Sequence, residues 1–450
     1  MEFINNKSQI INWLDDTNKY QLLTGQVQSG KTNEIINYCY WSIYEKNKSV
    51  LVVFQNIKYD VIQFNSRLEN FNKQLNGNLE PLVSHKIDDF DNSSPKVYVA
   101  LGNYKQIGKC LKIIDIEFNM CLDEADLMIK SANKKSAVEK VFYPLKNKAN
   151  HILGVTATNL AILFHEKSLS SIKILKPPED YHDYKNMNKV IVPPNPTLAR
   201  TFTYDLFTNQ PSGFMLHIEK HRKDDQLILA QSLYTEYTNI MFIVYNGNGL
   251  YVFPHPKREL IIGEHYPNNV TYNFKRTITI SHLLQRIKDV HIKRISVISG
   301  RMAGRGVSFV SEDFKLHITD QLYLPSYGVH DESMAQQLRI LGRYQECDLN
   351  LYAKKSVLKK IDMNYETRDK CNDMLSQNGN VNTLNKVPLN TISNKFSRKK
   401  VCKHIKFKNQ DDNLYFDGVE DIPDDEDVIE VKVETEVVIE VKVETETVAA

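Results

Sequence analysis

Gly25-Gln26-Val27-Gln28-Ser29-Gly30-Lys31-Thr32 sets two glycines, a lysine and a hydroxyl at the spacing that cradles a phosphate chain. Gly25 and Gly30 let the backbone curl so that its N–H groups point inward at phosphate oxygens. A helix starting at Asn33 adds its N-terminal dipole. Lys31 can reach the β- and γ-phosphates of ATP, and the Thr32 hydroxyl can ligate Mg²⁺. A bare match to this octapeptide arises by chance. Here an apolar run, Tyr20–Thr24, precedes it and a helical pattern, Asn33–Trp41, follows it. That context makes Gly25 to Thr32 a candidate nucleotide site.

A second cluster is acidic. Asp123-Glu124-Ala125-Asp126 ends the apolar run that begins at Phe118. In an open α/β sheet, ligands bind at the C-terminal ends of strands. Asp123 is the candidate to hold Mg²⁺, through water, and Glu124 to orient or deprotonate an attacking water. Asp126 is expected to pair with a neighbouring group. Alone, four such residues could be an acidic helix start, where carboxylates favour the dipole. Following the phosphate loop, that reading recedes.

Three further stretches complete the pattern. These are Thr156-Ala157-Thr158, the run Ser299–Phe309 containing Ala303-Gly304-Arg305-Gly306, and Gln336-Gln337-Leu338-Arg339-Ile340-Leu341-Gly342-Arg343. With the two clusters above, they resemble motifs I, II, III, V and VI of superfamily 2 helicases. The resemblance implies an ATP hydrolase with two tandem RecA-like P-loop domains, each with a parallel sheet. It places Arg305 and Gly306 near the nucleotide cleft or the nucleic-acid backbone. It offers Arg343 first and Arg339 second as the arginine that neutralises charge on the γ-phosphate. The plainer alternative is a helix with exposed arginines on one face. Three departures stand out. Gln345-Glu346 replace the last Gly-Arg of motif VI, motif III reads TAT, and no adenine-reading Q motif is evident around Gln9 or Gln21. The wider pattern resembles helicases of large double-stranded DNA viruses. It implies a nucleic-acid partner, DNA over RNA, and the nucleus or cytoplasm of a host cell.

Elements must hold these residues in place. Short apolar runs at Tyr20–Thr24, Val50–Phe54, Val97–Leu101, Phe118–Leu122 and Ile152–Thr156 alternate with helical patterns, as in βαβ units. Residues 1–175 are expected to form the first domain. Five prolines between Pro177 and Pro196 mark 176–212 as a linker. Residues 213–370 form the second domain, with strands at 213–218, Ile240–Tyr245, Ile295–Ser299, Leu316–Thr319 and Leu349–Tyr352. Asn246-Gly247-Asn248-Gly249 reads as a hairpin turn. Loops after strands, at Gln55-Asn56-Lys58 and Gly102-Asn103-Tyr104-Lys105, are candidate nucleic-acid contacts, with Tyr104 placed to stack on a base.

Bulk properties bound the rest. The chain has 450 residues, too many for one ordinary core, with 42% hydrophobic and 25% charged residues, so most of it can fold. Net charge is +2, but Lys395, Arg398, Lys399, Lys400, Lys403, Lys406 and Lys408 precede an acidic tail that repeats VIEVKVETE. Residues 371–450 are read as a poorly ordered, low-complexity tail. Six scattered cysteines without a CxxC pair argue against a zinc site or a disulfide framework and suit a reducing, intracellular setting. The opening residues lack the order of a secretion signal, and no apolar run approaches the ~18 residues of a membrane span. Two alternatives share the motor reading's residues: an ATPase that remodels without unwinding, and a nucleic-acid scaffold with a weak ATPase. Intact Lys31, Thr32, Asp123 and Glu124 speak against the scaffold. His151, His165 and His182 lack metal-ligand spacing and read as ordinary histidines.

Overall fold

A computed structural model describes residues 10–378, apart from position 16 and segments 56–57, 76–79, 133–136, 158–168, 220–221, 264–269, 275–277, 301–302, 304–306, 326–333, 335 and 344–347. Thr158, Arg305, Gly306, the basic run and the acidic repeat lie outside the described residues.

The first half is a seven-stranded sheet in the order β3-β4-β2-β5-β6-β1-β7. Its strands are β1 (Tyr20–Thr24), β2 (Ser49–Phe54), β3 (Ser84–Lys86), β4 (Val97–Leu101), β5 (Phe118–Asp123), β6 (Ile152–Thr156) and β7 (Ser171–Ile174). Every neighbouring pair is parallel. The crossovers carry α1 (Lys31–Tyr40), α2 (Lys58–Asn72), α3 (Tyr104–Ile113), α4 (Ala125–Ala132) and α5 (Glu139–Lys148). Side chains alternate across the pleat, so one sheet feeds two cores. Leu22, Leu51, Val53, Met120 and Leu122 enter one, while Leu23, Val50, Val52, Cys121 and Val155 enter the other. Burial on both faces explains why these strands read as continuous apolar runs. All five runs expected as strands are strands; the edge strands β3 and β7 are additional.

His151 is structural. Its Nδ1 accepts from the Tyr38 hydroxyl at 2.8 Å and its Nε2 donates to the Gln21 side-chain carbonyl at 2.7 Å. The three side chains are buried, and this chain of hydrogen bonds satisfies polar groups inside the sheet.

The stretch read as a linker carries two strands and an α-helix, β8 (Tyr181–His182), β9 (Asn188–Ile191) and α6 (Pro196–Thr208), with a 3-10 turn at Tyr184–Asn186. β9 lies at the edge of the second sheet, parallel to its neighbour. The prolines there start a helix rather than only breaking structure. Pro196 takes the first helical position, where no N–H is needed, and the Asn195 side chain accepts from the amides of Thr197 and Leu198.

The second sheet also contains β10 (Gly213–Glu219), β11 (Met241–Asn246), β12 (Gly249–Val252), β13 (Tyr272–Asn273), β14 (Arg294–Ser299) and β15 (Asp320–Leu324). After it come β16 (Gly342–Arg343), which pairs only with β8 among the described strands, and β17 (Asn350–Ala353). The sheet order is β13-β12-β11-β14-β10-β15-β17-β9. Helices α7 (Lys223–Glu236), α8 (Arg258–Ile262), α9 (Ile280–Asp289) and α10 (Lys355–Asn378) complete this half. The sheet is mixed rather than purely parallel, because the expected turn at Asn246–Gly249 folds β12 back antiparallel on β11, and β13 follows. No helix among the described residues is long and apolar enough to cross a membrane.

The strand expected at Leu316–Thr319 instead occupies Asp320–Leu324. Its first two residues are polar, which hid it, and both are fully buried. Asp320 accepts hydrogen bonds from Gln210, Asn350 and Tyr352 at 3.0 Å each, and from Thr319 at 2.7 Å. The strand tolerates a buried carboxylate because four donors surround it. Asp320→Ala is therefore expected to leave those donors unpaired and lower unfolding free energy by about 3 kcal/mol. Urea denaturation checks this; a loss under about 1 kcal/mol would show the network to be dispensable.

Candidate nucleotide-binding site

The phosphate loop leaves β1 and enters α1. Gly30, the residue before α1, has φ +96°, a left-handed conformation that a side chain strains. Gly25 is held by crowding: a Cβ there would approach the Ser29 hydroxyl at 2.9 Å and Leu175 Cβ at 3.0 Å. The Ser29 hydroxyl donates to the Gln26 carbonyl at 2.8 Å, closing the curl. Lys31 Nζ donates to the carbonyls of Gln26 at 2.5 Å and Gly25 at 3.4 Å. Burial lowers the Lys31 ammonium to about 8, against the pull of Glu124 and Asp123.

β5 delivers the carboxylates. Its order in the sheet puts β6 between it and β1, so the two motifs flank the end of one intervening strand. Glu124 follows β5 at φ 49°, an unusual conformation for a residue with a side chain, costing on the order of 1–3 kcal/mol. Its N–H donates to Asp123 Oδ1 at 3.1 Å. Burial, and then the Glu124 carboxylate beside it, raises the Asp123 carboxyl above its ordinary range. Asp126 turns away from this pair and accepts from the Thr156 hydroxyl at 2.9 Å, both fully buried. The acidic motif is thus tied to the TAT motif, the pairing expected for Asp126.

The second half closes over the loop. Val27, Gln28, Ser29, Gly30, Lys31 and Thr32 line a cleft of about 1340 Å³ together with Asp123, Glu124, Ser308, Gln336 and Arg339. Val27 and Ala157 pack into the hydrophobic core of the second half. The Gln28 amide donates to the Arg339 carbonyl at 3.1 Å. Tyr181 of β8 donates to the Val27 carbonyl at 2.6 Å, and Gln26 donates to Asp183 at 3.3 Å.

Motif VI leaves a helix at Gln336 and continues as a turn and a short strand, so its arginines stand outside the helix. Gln321 clamps it from β15, donating to the Gln337 carbonyl at 2.8 Å and accepting from the Ile340 amide at 3.0 Å. Arg339 is buried and its guanidinium donates to the Val307 carbonyl and, at 3.4 Å, to the Gln336 carbonyl. Arg339 therefore stands in the cleft wall with a charge that reaches Lys31 and Asp60. Arg343 lies in β16, its backbone paired with Tyr181; its side chain, like Arg305 and Gly306, falls outside what the structure describes.

Thr32, Asp123 and Glu124 offer hard oxygen donors in one cleft, with no ring nitrogen or sulfur. Mg²⁺ takes such a set, using one or two carboxylates plus substrate phosphates. The cleft residues fit a Mg²⁺-nucleotide.

Two residues of α2 in this cleft escaped sequence reasoning. Asp60 is 5% exposed, and Arg67 donates to the Ser308 hydroxyl of the second half at 3.0 Å. Burial lowers the Arg67 guanidinium to about 10, and Asp123 opposes that shift. A signal was present. Asp60 precedes Phe64, Leu68 and Phe71 on the buried stripe of α2, where an apolar residue is the rule.

Neither a protein-family model nor a curated protein matches the sequence. Solved structures resemble the fold. S. cerevisiae Dbp5 bound to RNA and ADP BeF3 gives a TM-score of 0.50 at 10% identity, covering 77% of this chain and 83% of that one. Escherichia coli DEAH/RHA helicase HrpB gives 0.47 at 12% identity, covering 76% and 42%. A DEAD box protein from Methanococcus jannaschii gives 0.40 at 17% identity, covering 77% and 86%. The chain has the fold of two tandem RecA-like domains, in common with the yeast Dbp5 structure.

Burial, and then the Asp123 and Glu124 carboxylates, raises Asp60 to about 8 from 3.8. The folded chain then keeps a proton that the unfolded chain has released, so through this group stability falls as pH rises from about 4 to about 8. Asp60→Asn removes that fall. Its unfolding midpoint relative to wild type is expected to rise between pH 5 and pH 8.5, without nucleotide or metal; a constant difference would refute the buried, uncompensated carboxyl.

Proposed function

We propose that this chain is an ATP-dependent nucleic-acid motor that hydrolyses ATP between its two RecA-like domains. The observation that carries this reading is the convergence of Lys31, Thr32, Asp123 and Glu124 from one domain with Arg339 from the other. The helicase fold agrees with it.

The loop amides and Lys31 bind the β- and γ-phosphates, and Lys31 exchanges its own loop carbonyls for phosphate oxygens. Thr32 and Asp123 would hold Mg²⁺, which would supply charge neutralisation at the phosphates. Glu124 orients the attacking water and accepts its proton. Arg339 compensates charge on the γ-phosphate, with Arg343 as the second candidate. Loss of the γ-phosphate removes the group that both domains grip, so the cleft loosens and the domains shift. Nucleic acid lying across both domains then advances by backbone contacts, and its affinity falls with salt. The resemblance to viral helicases favours DNA; the RNA in the yeast Dbp5 structure favours RNA.

ATP hydrolysis by the purified chain is expected to rise with one of single-stranded DNA, duplex DNA or RNA, and to vanish in Lys31→Ala. The stimulating polymer names the track. Stimulation without strand separation selects the remodelling reading. Folded protein that neither binds nor hydrolyses ATP selects the scaffold.

Tyr104 is half exposed at the start of α3, whose preceding residue Asn103 accepts from the Gln106 amide at 3.0 Å. If a base stacks there, Tyr104→Ala weakens single-strand binding by about fivefold or more, given ~1–3 kcal/mol per stacked base. Fluorescence anisotropy at fixed salt checks this, and unchanged affinity removes Tyr104 from the interface.

A further inference from the structure

The cleft wall holds Asp60, a carboxylate that the steps above do not use. Asp60 is 5% exposed and lines the cleft, and neither side-chain oxygen has a hydrogen-bond partner among the described residues. Its stripe on α2 otherwise buries Phe64, Leu68 and Phe71. An apolar residue would pack there without the cost of desolvating a carboxylate. The charged groups that act on it are Asp123 at the end of β5, Glu124 after it, and Arg339 from the second domain; Lys31, Glu34 and Arg67 line the same cleft.

Along β1-β6-β5-β2 the chemistry runs from Lys31, through Asp123 and Glu124, to the helix that follows β2. A terminal phosphate held by Lys31 and the β5 carboxylates would share this cleft with Asp60. In-line hydrolysis needs water opposite the leaving ADP.

We propose that Asp60 is a catalytic residue of the ATPase site: it accepts a hydrogen bond from the attacking water and shares with Glu124 the proton that water releases. The water oxygen forms the new bond to the γ-phosphorus. The bridging P–O bond breaks and ADP leaves with its electron pair. The proton passes through the two carboxylates to solvent. This rests on the ATPase reading above.

The test measures kcat, KM for ATP, Mg²⁺ dependence and thermal melting for the full chain, Asp60→Asn, Asp60→Glu and Lys31→Ala. Asp60→Asn is expected to lower kcat about 100-fold, the size of a lost general-base contribution. KM and the Mg²⁺ requirement should hold within about twofold, and the melting point should equal or exceed wild type. Asp60→Glu, which keeps the carboxyl group, should recover part of the turnover. Turnover near wild type in Asp60→Asn overturns the proposal while leaving the ATPase reading intact. So does a raised Mg²⁺ requirement, which would make Asp60 a metal ligand, or a lowered melting point, which would make it structural. A wild type no more active than Lys31→Ala overturns the ATPase reading itself, and Asp60 falls with it.

Discussion

Gln28 donates its amide to the backbone carbonyl of Arg339, and this contact sets the distance between the two halves of the chain where chemistry is expected. A P-loop alone can hold phosphates, since curled amides and one ammonium suffice. It cannot neutralise charge on the side facing away from its own sheet. The second domain must bring a guanidinium there, and the loop's apex is its docking point. Val27 enters the second domain's core, and Tyr181 donates to the Val27 carbonyl. The loop proposed to grip ATP is also the seam between the domains, so in that reading occupancy and domain position are coupled.

That seam is polar and buried, and polar groups there need partners. Gln321 satisfies both the Gln337 carbonyl and the Ile340 amide, holding motif VI as a turn. Asp320, next to it, anchors four donors. These contacts fix Arg339 from behind, while its guanidinium rests on main-chain carbonyls. A guanidinium held this way loses little further freedom when it meets a phosphate, the preorganisation that electrostatic catalysis relies on.

Sequence reading reached the first domain well, for a physical reason. Strands buried on both faces are apolar throughout, so Val50–Phe54 and Ile152–Thr156 stand out as runs. The phosphate loop and the acidic motif are equally legible, because glycine, lysine and carboxylate at fixed spacing have few other uses. What escaped depends on tertiary partners. Asp320–Leu324 begins with two polar residues whose partners are distant in sequence. Asp60 and Arg67 belong to no motif and gain meaning only when α2 is laid against β5. The proline-rich stretch was legible as a break but not as β9 and α6, since edge pairing and an Asn195 cap are set by what lies beside them.

The two-residue ladder of β8 and β16 has a mechanical meaning. Arg343's strand is hydrogen-bonded to the connector between the domains, and that connector hangs from the phosphate loop by Tyr181 and Asp183. So short a ladder cannot stretch by degrees; it is either zipped or unzipped. The connector thus ties Arg343 to the phosphate loop through two short links. A change of its length by one residue would displace Arg343 from that loop without altering any residue of the cleft.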